Sequence, residues 1–435
     1  MIKKVILLIS FPIFNLFAQN ELSIEDAISI GLKNNFDIQI SRLNFENSKN
    51  NARLGTSGFL PTLDASGNLG TSKSNQETNS PFSFGNSVTN SYGAQIALNW
   101  TLFDGFKMFV DNRRYEELTK LGEYQSKSII EANVVNIAKM YYNAVQQELL
   151  LDVLKSTVEI SRIRFEKVKM KNEIGGASSS DVLNSEVSLN NDLSNLLNQK
   201  LNYELAIKNL NLALGLSADN FIDVKNEISF DNAELNIDEI KQKAKDRNSL
   251  LLIARQNKMV ASHLVESSKS NYYPKLLLNG SYGYRDQTTS SDSPRFAGDV
   301  TTKSTDGSLG LTLSFNLFNG LRNDIDIQSK MIDLDIQSLA LKKVENELIG
   351  NLIEKFATYK IRMETVQLQS TNLKAAKRNL QLQMDKFNSG AINSLEFRDA
   401  QVNLAQAETN LITAKFQAKI SILEIQQLAG EIVIQ

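Results

Sequence analysis

The chain of 435 residues has no cysteine, so no disulfide holds its fold and no thiol does its chemistry. It has a single histidine, His263, and a single tryptophan, Trp100. With so few ligand types there is no His/Cys cluster for a metal and no Ser-His-Asp set. Nor is there a phosphate-cradling glycine loop, since Gly67-Asn68-Leu69-Gly70 is too little to count. Neither an enzyme nor a cofactor is therefore expected. Beyond the N-terminus, no stretch reaches the roughly 18 apolar residues that a transmembrane helix needs. No sign of charge dominates: 47 Lys plus Arg against 49 Asp plus Glu gives −2. That near-balance offers no basic face for nucleic acid. Proline is scarce as well. The five are Pro12, Pro61, Pro81, Pro274 and Pro294, and the long intervals between them suit long helices.

What is present begins with an export signature. Lys3 and Lys4 precede an apolar run, Val5 to Phe17, interrupted by Ser10, Pro12 and Asn15. Leu16-Phe17-Ala18 then offers a small residue for cleavage before Gln19, so residues 1–18 are expected to be a secretory signal peptide. No Cys follows the cleavage point, which excludes a lipoprotein anchor of that kind. An exported chain without a helical span is either soluble outside the cytoplasm or embedded as a β-barrel.

The prolines also reveal a duplication. Pro61 to Pro274 and Pro81 to Pro294 are both 213 residues apart, and Asn35 and Arg42 fall on Asn248 and Arg255 at that offset. Downstream the offset becomes 215: Leu102-Phe103-Asp104-Gly105 matches Leu317-Phe318-Asn319-Gly320, Gly175 falls on Gly390, Asp181 on Glu396, and Gly215 on Gly430. Independent landmarks in one register mark a tandem repeat. The division expected is 19–230 for the first copy and 231–435 for the second.

Each copy changes period in the same order. Ser23 to about Leu54 reads as a helix, opened by Ser23 with Asp26 three residues on. Pro61 ends it. Tyr92, Ala94, Ile96, Leu98, Trp100 and Leu102 then alternate with smaller or polar residues, as a strand with one apolar face does. In the second copy Leu276, Leu278, Gly280, Tyr282 and Tyr284 share a face, and Leu309, Leu311, Leu313, Phe315 and Leu317 share another. Polar loops are expected over Thr71 to Asn90 and Asp286 to Gly307. From Phe106 to about Lys171 there is no proline and one glycine, Gly122, enough for roughly 100 Å of helix. Within it Ile130, Val134, Ile137, Tyr141 and Val145 keep the spacing of packed helices. Gly175-Gly176 breaks the run, and a second helix carries Leu183, Val187, Leu193, Leu197, Leu201 and Leu205. Gly390 and a helix from Ser394 to Leu428 repeat this hairpin.

Two strands per copy make four, and four cannot close in lipid, where open edges are not tolerated. Either several chains share one barrel, or the strands form a small soluble sheet. At this point the chain resembles a known family. Leu22-Ser23-Ile24-Glu25-Asp26-Ala27 followed by Asn34-Asn35, the Leu-Pro approach to a strand, the Leu-Phe-Asp-Gly and Leu-Phe-Asn-Gly exits and two glycine-containing hairpin turns look like the TolC-type outer-membrane factors. The resemblance spans the whole mature chain. It implies a mainly α fold with membrane β-structure: four strands per chain contributing to a trimeric twelve-stranded barrel, continued by a long α-helical periplasmic barrel. It also implies a passive exit duct in the outer membrane of a Gram-negative bacterium. Its partners would be outer-membrane lipid, a periplasmic adaptor and an inner-membrane RND, ABC or MFS transporter, in an efflux pump or type I secretion system.

The same resemblance points to sites. The first hairpin tip, Gly175, Gly176, Ala177, Ser178, Ser179 and Asp181, is expected to receive the adaptor. So is the second, Gly390, Ala391, Ile392, Asn393 and Ser394. Ser178 with Asp181, and Asn393 with Glu396, equally read as capping boxes, and the two roles are compatible. Glu396 and Asp399 are spaced to share a helical face. The resemblance places such a pair at the periplasmic constriction as stacked acidic rings, whereas solvated surface acids are the plain alternative. Ile392 stands where some members carry a gate-holding arginine. Trp100, Tyr92, Phe103, Tyr282, Tyr284 and Phe318 suit either interfacial girdles or ordinary packing. The competing overall reading is a secreted coiled-coil adhesin or scaffold without a pore.

Overall fold

A computed structural model describes residues 21–76, 85–230, 235–292 and 298–432. The expected signal peptide, 1–18, lies outside the described residues. The elements run α1 (Ile24–Asn34), α2 (Phe36–Asn51), β1 (Thr62–Ser74), β2 (Ser87–Phe103), α3 (Lys107–Glu173) and α4 (Ser179–Leu214). They recur as α5 (Ile237–Arg247), α6 (Ser249–Lys269), β3 (Lys275–Ser291), β4 (Gly298–Ser314), α7 (Arg322–Ser389) and α8 (Ser394–Ala429). The chain divides into a sheet-bearing unit, Leu43–Ser126 with Ser249–Asn346, and a helical unit of residues up to Arg42, Lys127–Asn248 and from Glu347 onward.

In the sheet-bearing unit the four strands pair antiparallel in the order β1-β2-β3-β4. The register places Leu63 by Leu98, Leu98 by Gly280 and Gly280 by Leu309. It therefore gathers Leu63, Ala65, Leu69, Ile96, Trp100, Leu278, Tyr282, Leu309 and Leu311 on one face. Asp64, Ser66, Asn68, Gln95, Asn279, Ser281, Arg285 and Ser308 take the other. The apolar side is not packed within the chain: Leu309, Leu311 and Leu313 are 76%, 65% and 70% exposed. The polar side is joined across strands, for example Ser281 to Ser308 at 2.8 Å.

Two expectations need correction here. Alternation read straight along β2 puts Leu102 in the apolar row. A register shift between Thr101 and Phe103 instead pairs Phe103 with Leu276. The strands also outrun the expected loops: β1 continues to Ser74 and β3 to Ser291. Cross-strand hydrogen bonds carry these polar ends, among them Thr71 to Asn90 at 2.8 Å and Thr288 to Thr301 at 3.0 Å.

At the foot of the sheet, aromatic rings meet edge to face: Phe103 with Phe106 at 5.0 Å, Phe106 with Tyr273 at 5.8 Å, and Phe59 with Phe109 at 5.0 Å. Trp100 donates its indole N–H to the Phe59 carbonyl at 3.0 Å. Phe106 and Leu321, one residue after the matched glycines, both have left-handed backbones, φ 70° and 66°. His263 faces Glu266 at 3.4 Å in an ordinary surface pair.

In the helical unit, Ala27, Ile137, Tyr141, Val145, Leu210, Leu214 and Val224 form a common core. Of the stripe expected on α3, Val134, Ile137, Tyr141 and Val145 are buried and Ile130 is half-buried. The single helix expected from Ser23 to Leu54 is broken. Asn35 turns the chain with extended backbone, ψ 127°, and is 7% exposed. Its side chain accepts from Ile38 N–H at 3.1 Å, capping α2, and donates to the Ala213 carbonyl at 2.8 Å. Asn248 repeats the device, donating to Leu428 at 3.0 Å. The repeat match at these asparagines thus marks an interlock between two helix ends.

On α4 the periodic apolar residues do not mark the buried side. Leu183, Val187, Leu197, Leu201 and Leu205 are all exposed. Along most of its length α4 buries Ser185, Asp192, Gln199 and Ala206, a strict seven-residue series, joined near its end by Leu210, Asn211 and Leu214. Adding 215 gives the buried Ala400, Ala407, Ala414 and Ser421 of α8. Small residues at that spacing, Ser185 and Ala206 on α4 and all four on α8, let helices approach closely along one seam.

Gly215 and Gly430 cap the two hairpins in left-handed conformation, φ 73° and 68°. A Cβ at Gly215 would lie 2.4 Å from the Asn34 carbonyl oxygen, and one at Gly430 2.6 Å from that of Arg247. Gly215→Ala should therefore lose about 1–2 kcal/mol from backbone strain alone, with the clash in addition. The check is the apparent melting temperature in detergent. An unchanged value would mean that this interlock does not limit stability.

Candidate functional site

The two hairpin tips lie within the helical unit and are built alike. Gly175 and Gly390 both take left-handed backbone, φ 79° and 78°. The next amide closes the turn on the end of the preceding helix: Gly176 N–H to Lys171 at 2.7 Å, and Ala391 N–H to Lys386 at 2.8 Å. Asn172 braces the first tip by donating to the Ala177 carbonyl at 2.8 Å. Gly175, Gly176, Ser178, Ser179 and Asp181 are exposed and Ala177 is half-buried. In the second tip Gly390, Ala391 and Asn393 are exposed, while Ile392 and Ser394 are half-buried.

The caps differ in one respect. Ser178 and Asp181 close a full capping box: Ser178 Oγ accepts from Asp181 N–H at 3.1 Å, and the Asp181 carboxylate accepts from Ser178 N–H at 3.0 Å. The Ser178 hydroxyl, which donates to that carboxylate at 2.7 Å, and then the Ser178 backbone N–H hold the Asp181 carboxyl below its ordinary value of 3.8. In the second tip Asn393 Oδ1 accepts from Leu395 and Glu396 N–H at 3.0 and 2.9 Å. Glu396 does not reach back. The second capping box is therefore half-formed, which leaves the Glu396 carboxylate without a hydrogen bond or ion pair among the described residues.

Both tips line one cleft of about 360 Å³, which includes Gly176, Ala177, Asp181, Gly390, Ile392, Asn393 and Glu396. Asp399, exposed on the same helix, is not part of that lining. The cleft rests on an aromatic floor absent from the sequence reading. Phe387 and Phe397, each 4% exposed, stack at 5.0 Å with ring planes 6° apart. Val168, Ala177, Val182 and Ile392 pack around them. Lys171 Nζ lies 4.8 Å above the Phe387 ring. Ile392 thus anchors the tip by apolar contact. The pair of phenylalanines flanking the turn ten residues apart was the available signal.

A buried ionic network joins α3, α4 and α8. Arg398 grips Asp192 with both ends of its guanidinium, at 2.5 and 2.7 Å, and Ser161 donates to the same carboxylate at 2.5 Å. Gln401 donates to Ser161 Oγ and to the Thr157 carbonyl, both at 2.8 Å. Nearby Arg164 is 2% exposed. Burial above all, and then Arg398, push its pKa down to about 10, against the pull of Asp192. Nothing local marks Arg398, which stands between Glu396 and Asp399 and meets a carboxylate 206 residues away in the chain. Among the described residues no group of His, Cys, Asp or Glu is placed to hold a metal ion, and no helix is long and apolar enough to cross a membrane.

The family model described as outer membrane efflux protein matches residues 27–216 and 240–431, one segment in each half of the chain. The chain belongs to that family. It is accordingly an outer-membrane component of efflux, and the secreted scaffold is set aside. It is similar to the toluene efflux pump outer membrane protein TtgC of Pseudomonas putida, 20% identical over 94% of this chain and 83% of that protein. It is also similar to the outer membrane protein TolC of Salmonella enteritidis, 19% identical over 79% and 70%. Among solved structures, the Campylobacter jejuni CmeC outer membrane channel has the same fold. Its TM-score is 0.77 at 16% identity, over 94% of this chain and 85% of the channel.

Asp181 allows a direct test of the first tip. A carboxylate with lowered pKa supports its helix fully above pH 3.8, and that support fades as pH falls through the lowered value. Ser178→Ala should remove the hydroxyl's larger share of the effect and leave the backbone N–H bond. Hydrogen exchange of the first turn of α4 should accelerate in Ser178→Ala at neutral pH and in the wild type only under acid. Equal exchange in both proteins at neutral pH would show that the cap does not order the tip.

Proposed function

We propose that the chain is one third of a homotrimeric, passive exit duct that conducts cargo across the outer membrane without catalysis. Its partners are a periplasmic adaptor and an energised RND, ABC or MFS transporter of the inner membrane, in an efflux pump or type I secretion system. Its two structural repeats are residues 19–230 and 231–435.

The observation that carries this reading is the sheet. One face is apolar and exposed, the other polar, and β1 and β4 each have a free edge. The apolar band runs from Tyr92 to Phe103 on β2, bounded outside by the Asp286–Lys303 ion pair at 3.5 Å. Twelve residues make about 40 Å of strand, or about 30 Å of height at a barrel tilt near 40°. That height suits a bilayer. Three copies supply twelve strands, join the edges and enclose the polar faces. The outward leucines of α4 supply an apolar surface for a neighbouring copy. Trp100, Phe103, Phe106 and Tyr273 then fall at the band's inner margin, where an interfacial girdle belongs.

The tips Gly175, Gly176, Ala177, Ser178, Ser179 and Asp181, with Gly390, Ala391, Ile392, Asn393 and Ser394, are proposed to dock the adaptor in their shared cleft. Glu396 and Asp399 are proposed as the constriction. The free, exposed carboxylate of Glu396 supports a role in ion selection, and three copies would ring the axis with negative charge.

The duct reading is tested by conductance in planar bilayers, with mass measured on the same detergent preparation. A trimer forming discrete, long-lived pores is the expected result; a monomer without conductance would sink the proposal. In the same assay Glu396→Gln with Asp399→Asn should lower the cation-to-anion permeability ratio several-fold. An unchanged ratio removes the constriction assignment and leaves the duct standing.

A further inference from the structure

The ionic network breaks the duplicated plan of the helical unit. At the offset of 215, Ser161 falls on Ala376, Arg164 on Asn379 and Asp192 on Ala407, while Arg398 falls back on Leu183. None of the four has a like partner in the other copy. Asp192 moreover occupies a place in the small-residue seam, buried at 3% exposure. A carboxylate there is held only by its partners.

Those partners belong to two groups. Ser161 and Arg164 stand on α3, three residues apart and so on one face, and Asp192 stands on α4 of the same hairpin. Arg398 comes from the other hairpin, on α8. In the present packing Arg398 takes both carboxylate oxygens. Arg164 is buried beside them with Nε and Nη2 bonded to nothing among the described residues. A buried guanidinium with unmet donors is unfavourable. Removing Arg398 from a buried Asp192 would also be unfavourable, unless another cation were already in place.

We propose that Asp192 is exchanged between two arginines: Arg398 holds it while α8 packs on α3 and α4, and Arg164 takes it when α8 swings away. The exchange relieves both defects at once. Arg164 gains the acceptor it lacks, Asp192 is never left unpaired, and Arg398, already partly exposed, passes into water. Two mutually exclusive pairings of one carboxylate make the packing of the second hairpin two-state rather than graded. As a device for opening the duct, this rests on the reading of the chain as a duct.

The cysteine-free sequence lends itself to spin labelling. Labels at Asn195→Cys on α4 and Asn403→Cys on α8, both exposed, report the separation of the hairpins by pulsed electron resonance. Arg398→Gln should raise the fraction of long distances. Adding Arg164→Met should lower that fraction by about tenfold, the worth of a charged hydrogen bond. The same Arg164→Met change should have no effect when Asp192→Asn is present. If Arg164→Met leaves the long-distance fraction of Arg398→Gln unchanged, or alters it equally with Asp192→Asn, the exchange is refuted. A shift in melting temperature without a shift in distances would refute it too, marking Arg164 as a packing residue; Arg164→Gln repeats the test should Met fail to fold. Pore formation, measured separately, decides the duct: a protein that never conducts loses the duct reading, while the label distances still decide the exchange.

Discussion

Hydrocarbon offers no hydrogen bonds, so every backbone N–H and C=O that enters it must be paired within protein. A sheet of four strands in the order β1-β2-β3-β4 pairs its interior and leaves the outer sides of β1 and β4 open. Among the described residues that constraint leaves a chain with only two hairpins two strand edges to complete, which is the ground for the proposal that several copies share one barrel. The sheet is also two-sided. Apolar residues gather on one exposed face, with Leu309, Leu311 and Leu313 in one row, and the reverse face can be as polar as Asn68, Gln95 and Asn279.

The helical unit meets a different demand with the same duplicated plan. Helices of 67 and 68 residues, α3 and α7, are each followed by a 36-residue helix, α4 or α8, that carries a seam of seven-residue spacing. Small residues at seven-residue spacing serve that geometry, because Ala400, Ala407 and Ala414 let backbones approach where leucine would hold them apart. On α4 several leucines lie instead on the outer surface, as Leu183, Leu197, Leu201 and Leu205 do. The departures from this plan are charged: Asp192, Arg164 and Arg398 sit where small or neutral residues would keep the seam quiet. Buried charge specifies one arrangement, or a few, more sharply than apolar contact does.

The tips combine rigidity and exposure. A left-handed glycine, an amide bonded back to the preceding helix and a side-chain cap define each turn, and the Phe387–Phe397 stack fixes the two together. The polar rim of the cleft is therefore carried on a stiff base. A stiff base of this kind suits the proposed docking role, since it lowers the ordering cost when a partner arrives.

Much of this was legible in the residues. Alternation of period two placed the strands, because one face of each meets an apolar phase; proline and glycine placed their ends and the hairpin turns. Matched offsets exposed the duplication, since a copied unit copies its punctuation. The breaks at Asn35 and Asn248 were visible only as matched positions, because an asparagine reveals nothing of the carbonyl it will meet 178 or 180 residues away. The buried side of α4 was hidden from its sequence for a related reason. Leucines at helical spacing mark an apolar stripe, but not which neighbour it serves. Sequence alone determined element type, repeat and family, all set by local backbone preference and periodicity. Tertiary structure alone decided which face is buried, where β2 shifts register, and that Asp192, Arg164 and Arg398 meet. Those outcomes depend on contacts between segments far apart in the chain, whose geometry no local pattern encodes.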